Sequence, residues 1–254
     1  MELAAVITRY GIRAYLYGQF FFEKLTGSGA FGSKPVYVKE PLPPSGNRIK
    51  DLLHQFHVKQ FHESSCSVAS VASVINAVSD YQGRAQDPPL TQQDLLEDVR
   101  AAHWKERMSE NGYKGRRGLP LETLGYVTEK SFEVYQLPYR TIEVVSAVTP
   151  PGRSAHFREK LAARLEQFEK KGDCLLIAHF NQGRFLPELH IPHISPVGGF
   201  DARTRMVTML DVDPAQEQPY QILFDTFYKG VSCNYHNLFK PFGYAGGGYV
   251  CIHL

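Results

Sequence analysis

Gln60-Phe61-His62-Glu63-Ser64-Ser65-Cys66 leads straight into Ser67-Val68-Ala69-Ser70-Val71-Ala72-Ser73-Val74-Ile75-Asn76-Ala77-Val78. In the second part, Val68, Val71, Val74, Ile75 and Val78 recur at helical spacing. No charge interrupts the run between Cys66 and Asp80, so the helix is expected to be buried on all sides. Ser64 or Ser65 is placed to cap its N-terminus. Cys66 then falls in the first turn, where unpaired N–H groups and the helix dipole favour an anion. The thiolate is the reactive form of cysteine, and a helix start beside a cationic histidine is a setting that produces it. The same residue also suits a buried small hydrophobe. Which reading holds depends on whether a base and an acid are supplied elsewhere.

The totals narrow the classes. With 254 residues, 43% hydrophobic and 12% aromatic, the chain suits one large domain or two closely packed lobes. A net charge of +2 with no block of Lys or Arg is too balanced to imply nucleic acid or a membrane surface as partner, and neither is expected. The cysteines at 66, 174, 233 and 251 are far apart and form no CxxC pair, which argues against a zinc knuckle, a redox dithiol or a disulfide scaffold. His54, His57 and His62 are close in sequence, but their spacing fits no closed metal site, so no metal ligand is assigned. Residues 14–22 form the longest uncharged run near the start, well short of the roughly 20 residues a membrane span needs. Arg9, Arg13 and Glu23 argue against a signal peptide, and a cytoplasmic location is expected.

Taken in order, residues 3–25 read as a helix with a broad aromatic face. A Gly-containing connector follows at 26–32, then a Pro-rich extended stretch at 34–47. This makes residues 1–44 an N-terminal helix and connector, and 45–254 the main domain. A short helix is expected at 51–56. Thr91-Gln92-Gln93-Asp94 resembles a capping box, with its helix running to Trp104. Residues 105–117 read as a polar loop, and Pro120 opens another helix. Up to about 130 the reading is helical. Beyond it, strands are expected at 132–135, 141–145, 174–180, 191–200, 205–212 and 246–253, with helices at 154–171 and 220–229. Helices first and antiparallel strands later imply an α+β fold of two lobes.

A thiolate mechanism needs a base, an orienting acid and an oxyanion donor. Among ten histidines, His193 stands out through its setting, His193-Ile194-Ser195-Pro196-Val197-Gly198-Gly199-Phe200. It begins a strand leading into a hairpin whose return strand ends Met209-Leu210-Asp211-Val212-Asp213. The hairpin folds Asp211 back beside His193, the arrangement by which a carboxylate fixes an imidazole tautomer. Asp213, two residues on and hence on the same strand face, is the rival acid.

Three blocks, Gln60 to Cys66, His193-x-Ser-Pro-x-Gly-Gly-Phe and Leu210-Asp211-Val212, resemble in order and spacing the hallmarks of the phytochelatin synthase family. The resemblance covers roughly residues 45–254. It extends to Ala69-Ser70 and Asn76 after the cysteine and to the last strand, Gly248-Tyr249-Val250-Cys251-Ile252. It implies a papain-like cysteine protease fold, a helical lobe followed by an antiparallel β lobe. Cys66 would be the nucleophile, His193 the base, Asp211 the orienter and Gln60 the oxyanion donor. The implied substrate is glutathione or a similar thiol peptide. The implied reaction is cleavage through a γ-glutamylcysteinyl thioester, passed to water or to a second peptide, with hydrolysis expected to dominate. No cofactor is required for that chemistry. The resemblance leaves room for activation by soft divalent metal–thiolate complexes, hence a role in metal detoxification and metal ion binding, and for a homodimer. It predicts the catalytic domain alone, without the Cys-rich region of the plant enzymes.

Three departures touch the donor pocket. Ser67 stands where the family usually has Gly after the nucleophile. Pro192 stands where it has Gly before the histidine, and Pro214 where it has an Arg after the acid. They leave open a papain-like peptidase or amidase for another small substrate, or a non-catalytic binding protein on this fold.

Overall fold

A computed structural model of the chain describes residues 2–32, 35–38, 45–147, 154–235 and 237–254. Of the Pro-rich stretch expected to be extended, residues 39–44 lie outside the described residues.

Helix α1 spans Glu2–Thr26 and is followed by the two-residue strand β1, Val36–Tyr37. Four helices come next: α2 Arg48–Gln55, α3 Cys66–Tyr81, α4 Gln92–Asp98 and α5 Trp104–Arg107. Then come α6 Leu121–Val134, β2 Thr141–Ser146, α7 Ser154–Lys171 and β3 Cys174–Asn181. The hairpin pairs β4 Pro192–Asp201 with β5 Met206–Met209, and β6 Tyr220–Leu223, α8 Phe224–Val231 and β7 Gly248–His253 complete the chain. The expected α+β class is therefore observed, with the strands in one antiparallel sheet ordered β1-β6-β5-β4-β3-β7-β2.

Three expectations need correction. Residues 132–134 belong to α6, not to a strand. Leu124, Val127, Thr128, Ser131 and Phe132 keep the helical period and are all buried. Thr128 and Ser131 return their hydroxyls to the carbonyls four residues back, so neither is left unpaired. The helix opened by Thr91 stops at Asp98 rather than Trp104. Its capping box is present, but Ala102 and His103 adopt left-handed φ of 54° and 53°, which no continuous helix accommodates. Residues 220–223 are strand β6, and only from Phe224 does the chain turn helical.

Helix α3 sits at the centre. Every residue from Cys66 to Ser79 is buried. Its small side chains let backbone approach backbone, and its hydroxyls are satisfied internally. Ser73 donates to Ala69 O at 2.8 Å, while Ser70 donates to Cys66 O at 2.7 Å and to Ile194 O of β4 at 3.2 Å. Asn76 pairs both ways with the backbone of Leu90. One apolar cluster runs from Leu53 of α2 through the α3 valines to Phe168 of α7 and the interiors of β3 and β7. Helix-rich and strand-rich halves are thus joined by a shared core. Among the described residues no helix is long and apolar enough to cross a membrane.

The β4–β5 register shifts between Val197 and Gly199. A side chain at Gly198 would sit 2.7 Å from Leu210 Cγ and 3.0 Å from His54 Nε2. Gly198→Ala should therefore destabilise the protein by about 1–3 kcal/mol, as overpacking does. A urea midpoint equal to that of the unmodified protein would show that this close approach can relax.

Candidate active site

The chain enters α3 through a tight turn. Ser65 N donates to His62 O at 2.9 Å, and Ser65 Oγ both donates to His62 O and accepts from His62 N. Ser64 Oγ reaches Met108 O at 3.3 Å and pairs with His62 Nδ1 at 2.9 Å. Both serines are thus engaged in shaping the turn. Contrary to expectation, no side chain caps the helix. The N-terminal amides beside Cys66 are left without a side-chain acceptor, the condition under which a helix start attracts negative charge.

His193 lies on β4, paired with Phe180 across the strand boundary, and the Phe180 ring meets its imidazole edge to face at 5.4 Å. Nε2 of His193 donates to Asp211 Oδ1 at 2.7 Å. The same ring interacts electrostatically with Cys66, and with Nε2 on the acid, Nδ1 is the nitrogen left for the sulfur. Cys66, His193 and Asp211 are 7%, 5% and 0% exposed, so the series is screened from bulk water.

Asp211 is buried, which by itself would keep its carboxyl neutral. The His193 charge and the donors around it outweigh burial and hold its pKa down to about 2. Those donors are His193 Nε2, Ser195 Oγ at 3.2 Å, the Asp213 amide at 3.0 Å and Tyr220 OH on Oδ2 at 2.7 Å. Burial would likewise lower His193, but the Asp211 carboxylate and then Cys66 reverse this and raise its pKa to about 10. The imidazole is therefore held as a cation between a carboxylate and the thiol.

Asp211 is not on a strand. β5 ends at Met209, and Leu210 N makes one more ladder bond to Pro196 O before the chain turns. The Asp213 amide folds back onto Asp211 Oδ1, so Asp213 does not share a face with Asp211. Its own carboxylate accepts from Gln182 Nε2 and Ala215 N instead. The rival acid is thereby placed away from the imidazole.

Gln60 is held by its backbone, its N–H donating to Val212 O at 2.8 Å, one residue from the acid. Its Oε1 is buried without a partner. Lys59 reinforces the same strap, donating to Asp211 O at 2.7 Å and Gln216 O at 2.6 Å. Nearby, burial lowers the His57 pKa to about 4, with Lys59 adding to the effect. Tyr235 and Tyr244 lie within electrostatic reach of Cys66, and Tyr235 OH donates to His179 Nδ1 at 3.0 Å. Tyr220, Lys59 and Tyr235 carry no sequence signal. Ser195 lies inside the His193 block and could have been read as a partner of the acid.

The sequence model of the phytochelatin synthase family matches residues 45–244. The chain belongs to the phytochelatin synthase family. That family consists of enzymes that transfer γ-glutamylcysteine and act on glutathione-like thiol peptides. Comparison with curated proteins finds no match. Measured against the phytochelatin synthase pattern, the departure at Ser67 has a structural use. Its hydroxyl accepts from Trp104 Nε1 at 3.0 Å and donates to Met108 Sδ at 3.7 Å, holding α5 over the start of α3. Pro192 opens β4 opposite Asn181, and Pro214 lies in the turn closed by Ala215 N on Asp213.

The shifted pair fixes how stability depends on pH. Asp211 is lowered, so its contribution is complete above the unfolded value of about 3.9 and is lost as pH falls through about 2. His193 is raised, so its contribution is complete below about 6.5 and is lost as pH rises through about 10. Tyr220→Phe strips a donor from buried Oδ2 and should cost about 1–3 kcal/mol. It should also move the acid limb of a stability–pH curve to higher pH. Urea midpoints taken across pH would test this, and an unmoved acid limb would rule out a role for Tyr220 in keeping the carboxylate ionised.

Proposed function

We propose that this member of the family cleaves glutathione or a related γ-glutamylcysteine peptide through a thioester on Cys66, on a papain-like arrangement of helix and sheet. The observation that carries the reading is the buried series Cys66–His193–Asp211, in which the imidazole bonds the acid at 2.7 Å and interacts with a cysteine at an uncapped helix start. In this mechanism the Cys66 sulfur, its proton held on His193, attacks the carbonyl carbon of the bond to the C-terminal residue. The tetrahedral oxyanion is met by the Gln60 carboxamide and the Cys66 amide. His193 then gives its proton to the leaving amine, and the thioester remains. Neutral His193 takes a proton from water, which attacks the thioester and releases the acid. Asp211 stays ionised throughout and holds the ring in one tautomer.

Water is present at on the order of tens of molar, so a transferred acyl group requires an acceptor peptide held firmly beside the thioester. Pro214 takes the place of the family's arginine three residues after the acid. That substitution supports a weaker hold on peptide carboxylates, hydrolysis ahead of transfer, and, as a second reading, a small thiol peptide other than glutathione. No cofactor enters these steps, and a soft divalent metal would act through thiolate complexes of the peptide.

Mass spectrometry after incubation with glutathione should show an acyl adduct on Cys66 and loss of glycine. Product chromatography at millimolar glutathione should show mainly γ-glutamylcysteine, with and without added metal, and Cys66→Ala should abolish it. A predominance of extended γ-glutamylcysteine polymers would overturn the hydrolytic reading. Gln60→Ala should lower turnover on the order of 100-fold, as for other oxyanion donors, while unfolding stays nearly unchanged. A normal rate in that variant would remove Gln60 from the mechanism.

A further inference from the structure

Residues 58–60, in the strap between α2 and α3, are tied down on two sides. On one side, Val58 N donates to Ser73 Oγ of α3 at 3.2 Å, and Lys59 O accepts from Gln92 Nε2 of α4 at 2.7 Å. On the other, Gln60 N donates to Val212 O at 2.8 Å, and the Lys59 ammonium donates to Asp211 O at 2.7 Å and to Gln216 O at 2.6 Å. The two carbonyls gathered by the ammonium lie at opposite ends of the acid loop. Asp211 opens that loop, and Gln216 N closes it on Asp213 O at 3.0 Å. Asp211 and Gln216 are both buried, so donors for them have to come from the protein. A compact ammonium with several donors on a flexible stem meets two converging carbonyls, which the fixed fork of a guanidinium does not.

The functional groups on either side of this junction are not equally held. The Asp211 carboxylate takes four donors of its own, from His193, Ser195, the Asp213 amide and Tyr220. The Gln60 carboxamide has no such set, and its Oε1 is without a partner. Its position follows from the course of the main chain, which the bonds of residues 59 and 60 to the acid loop fix. Loosening the strap therefore displaces the amide before it displaces the acid. An oxyanion donor works only within a few tenths of an ångström of its place, and a misplacement of about 1 Å costs on the order of 100-fold in rate.

We propose that Lys59 is a positioning residue for the reaction, its ammonium drawing the two ends of the acid loop onto the strap and so aiming the neighbouring Gln60 carboxamide at the oxyanion. This rests on the reading of Gln60 as the oxyanion donor. Lys59 itself touches neither the substrate nor the sulfur in this role.

The test is steady-state kinetics with glutathione on the full chain, for Lys59→Met, Gln60→Ala and the two combined. Lys59→Met should lower kcat about 10- to 100-fold and leave KM within about twofold, the mark of an interaction made in the transition state. The combined variant should be no slower than Gln60→Ala alone, because the group through which Lys59 acts is already gone. Alkylation of Cys66 by iodoacetamide forms no oxyanion. Followed at Cys66 by mass spectrometry, it should run as fast in Lys59→Met as in the unmodified protein. A normal kcat in Lys59→Met overturns the proposal. So does slowed alkylation, which would place Lys59 on the Cys66–His193 pair, and so do rate losses that multiply in the combined variant. If Lys59→Met does not fold, Lys59→Gln, whose shorter amide keeps a donor, is judged by the same criteria. Failure of both to fold assigns Lys59 to stability and also overturns the proposal. An unmodified protein that does not turn over glutathione marks failure of the underlying reading, and the proposal falls with it. Full turnover in Lys59→Met removes Lys59 alone.

Discussion

A carboxylate with no exposure to solvent is the point around which this structure is arranged. Asp211 is ionised inside the protein, and a buried charge is tolerated only where partners replace the lost water. Four donors do so, from β4, from β6 and from the turn that Asp211 itself opens. Each must arrive within a few tenths of an ångström, so the register of β4, β5 and β6 and the path of residues 210–213 are tied to one carboxyl group. The backbone of the same loop receives Gln60 and Lys59 from the strap before α3. The acid thereby fixes the strap that delivers the cysteine as well as the ring that faces it.

The packing of α3 is the complementary constraint. A helix buried on all sides must carry small residues where it meets another backbone, and its polar atoms must be satisfied without water. The serines at 70 and 73 meet both demands, and Ser70 does so while bonding the carbonyl next to His193. Ser67 extends the same economy to α5, anchoring the Trp104 indole. Fold and site share these contacts, so the position of the Cys66 sulfur relative to the imidazole is set by core packing rather than by a mobile loop.

Around this centre the stretch matched by the family and the segment that precedes it separate in space. The matched stretch holds the cysteine, the imidazole and the acid. Helix α1, clamped by Glu23 on His190, and strand β1, paired with β6, lie outside it and add a second layer of contacts. Tyr37 of β1 packs against Tyr220, the residue that donates to Asp211, and its hydroxyl bonds Gln216 in the acid loop. The N-terminal segment thus buttresses the acid from behind.

Legible from the chain alone were the small-residue helix that begins at Cys66, the α+β class, and Cys66, His193 and Asp211 as residues to be brought together. Those signals are local: a small-residue helical period, a histidine opening a strand, an acid after the return strand. It also led to errors where local preference is indecisive. The β-prone run at 132–135 continues a helix because its buried face keeps the 3.6 period against β2 and β7. The helix after Thr91 breaks at Ala102 and His103, whose left-handed backbone no residue type there announces. Which of Asp211 and Asp213 stands beside His193 emerged from the folded chain alone. That choice depends on one amide folding back onto a carboxylate at 3.0 Å, and two residues on a true strand would have shared a face. Tyr220 and Lys59 were likewise beyond the sequence. Their roles depend on strand register and on how the strap before α3 crosses the acid loop, contacts between residues far apart in the chain that no local pattern encodes.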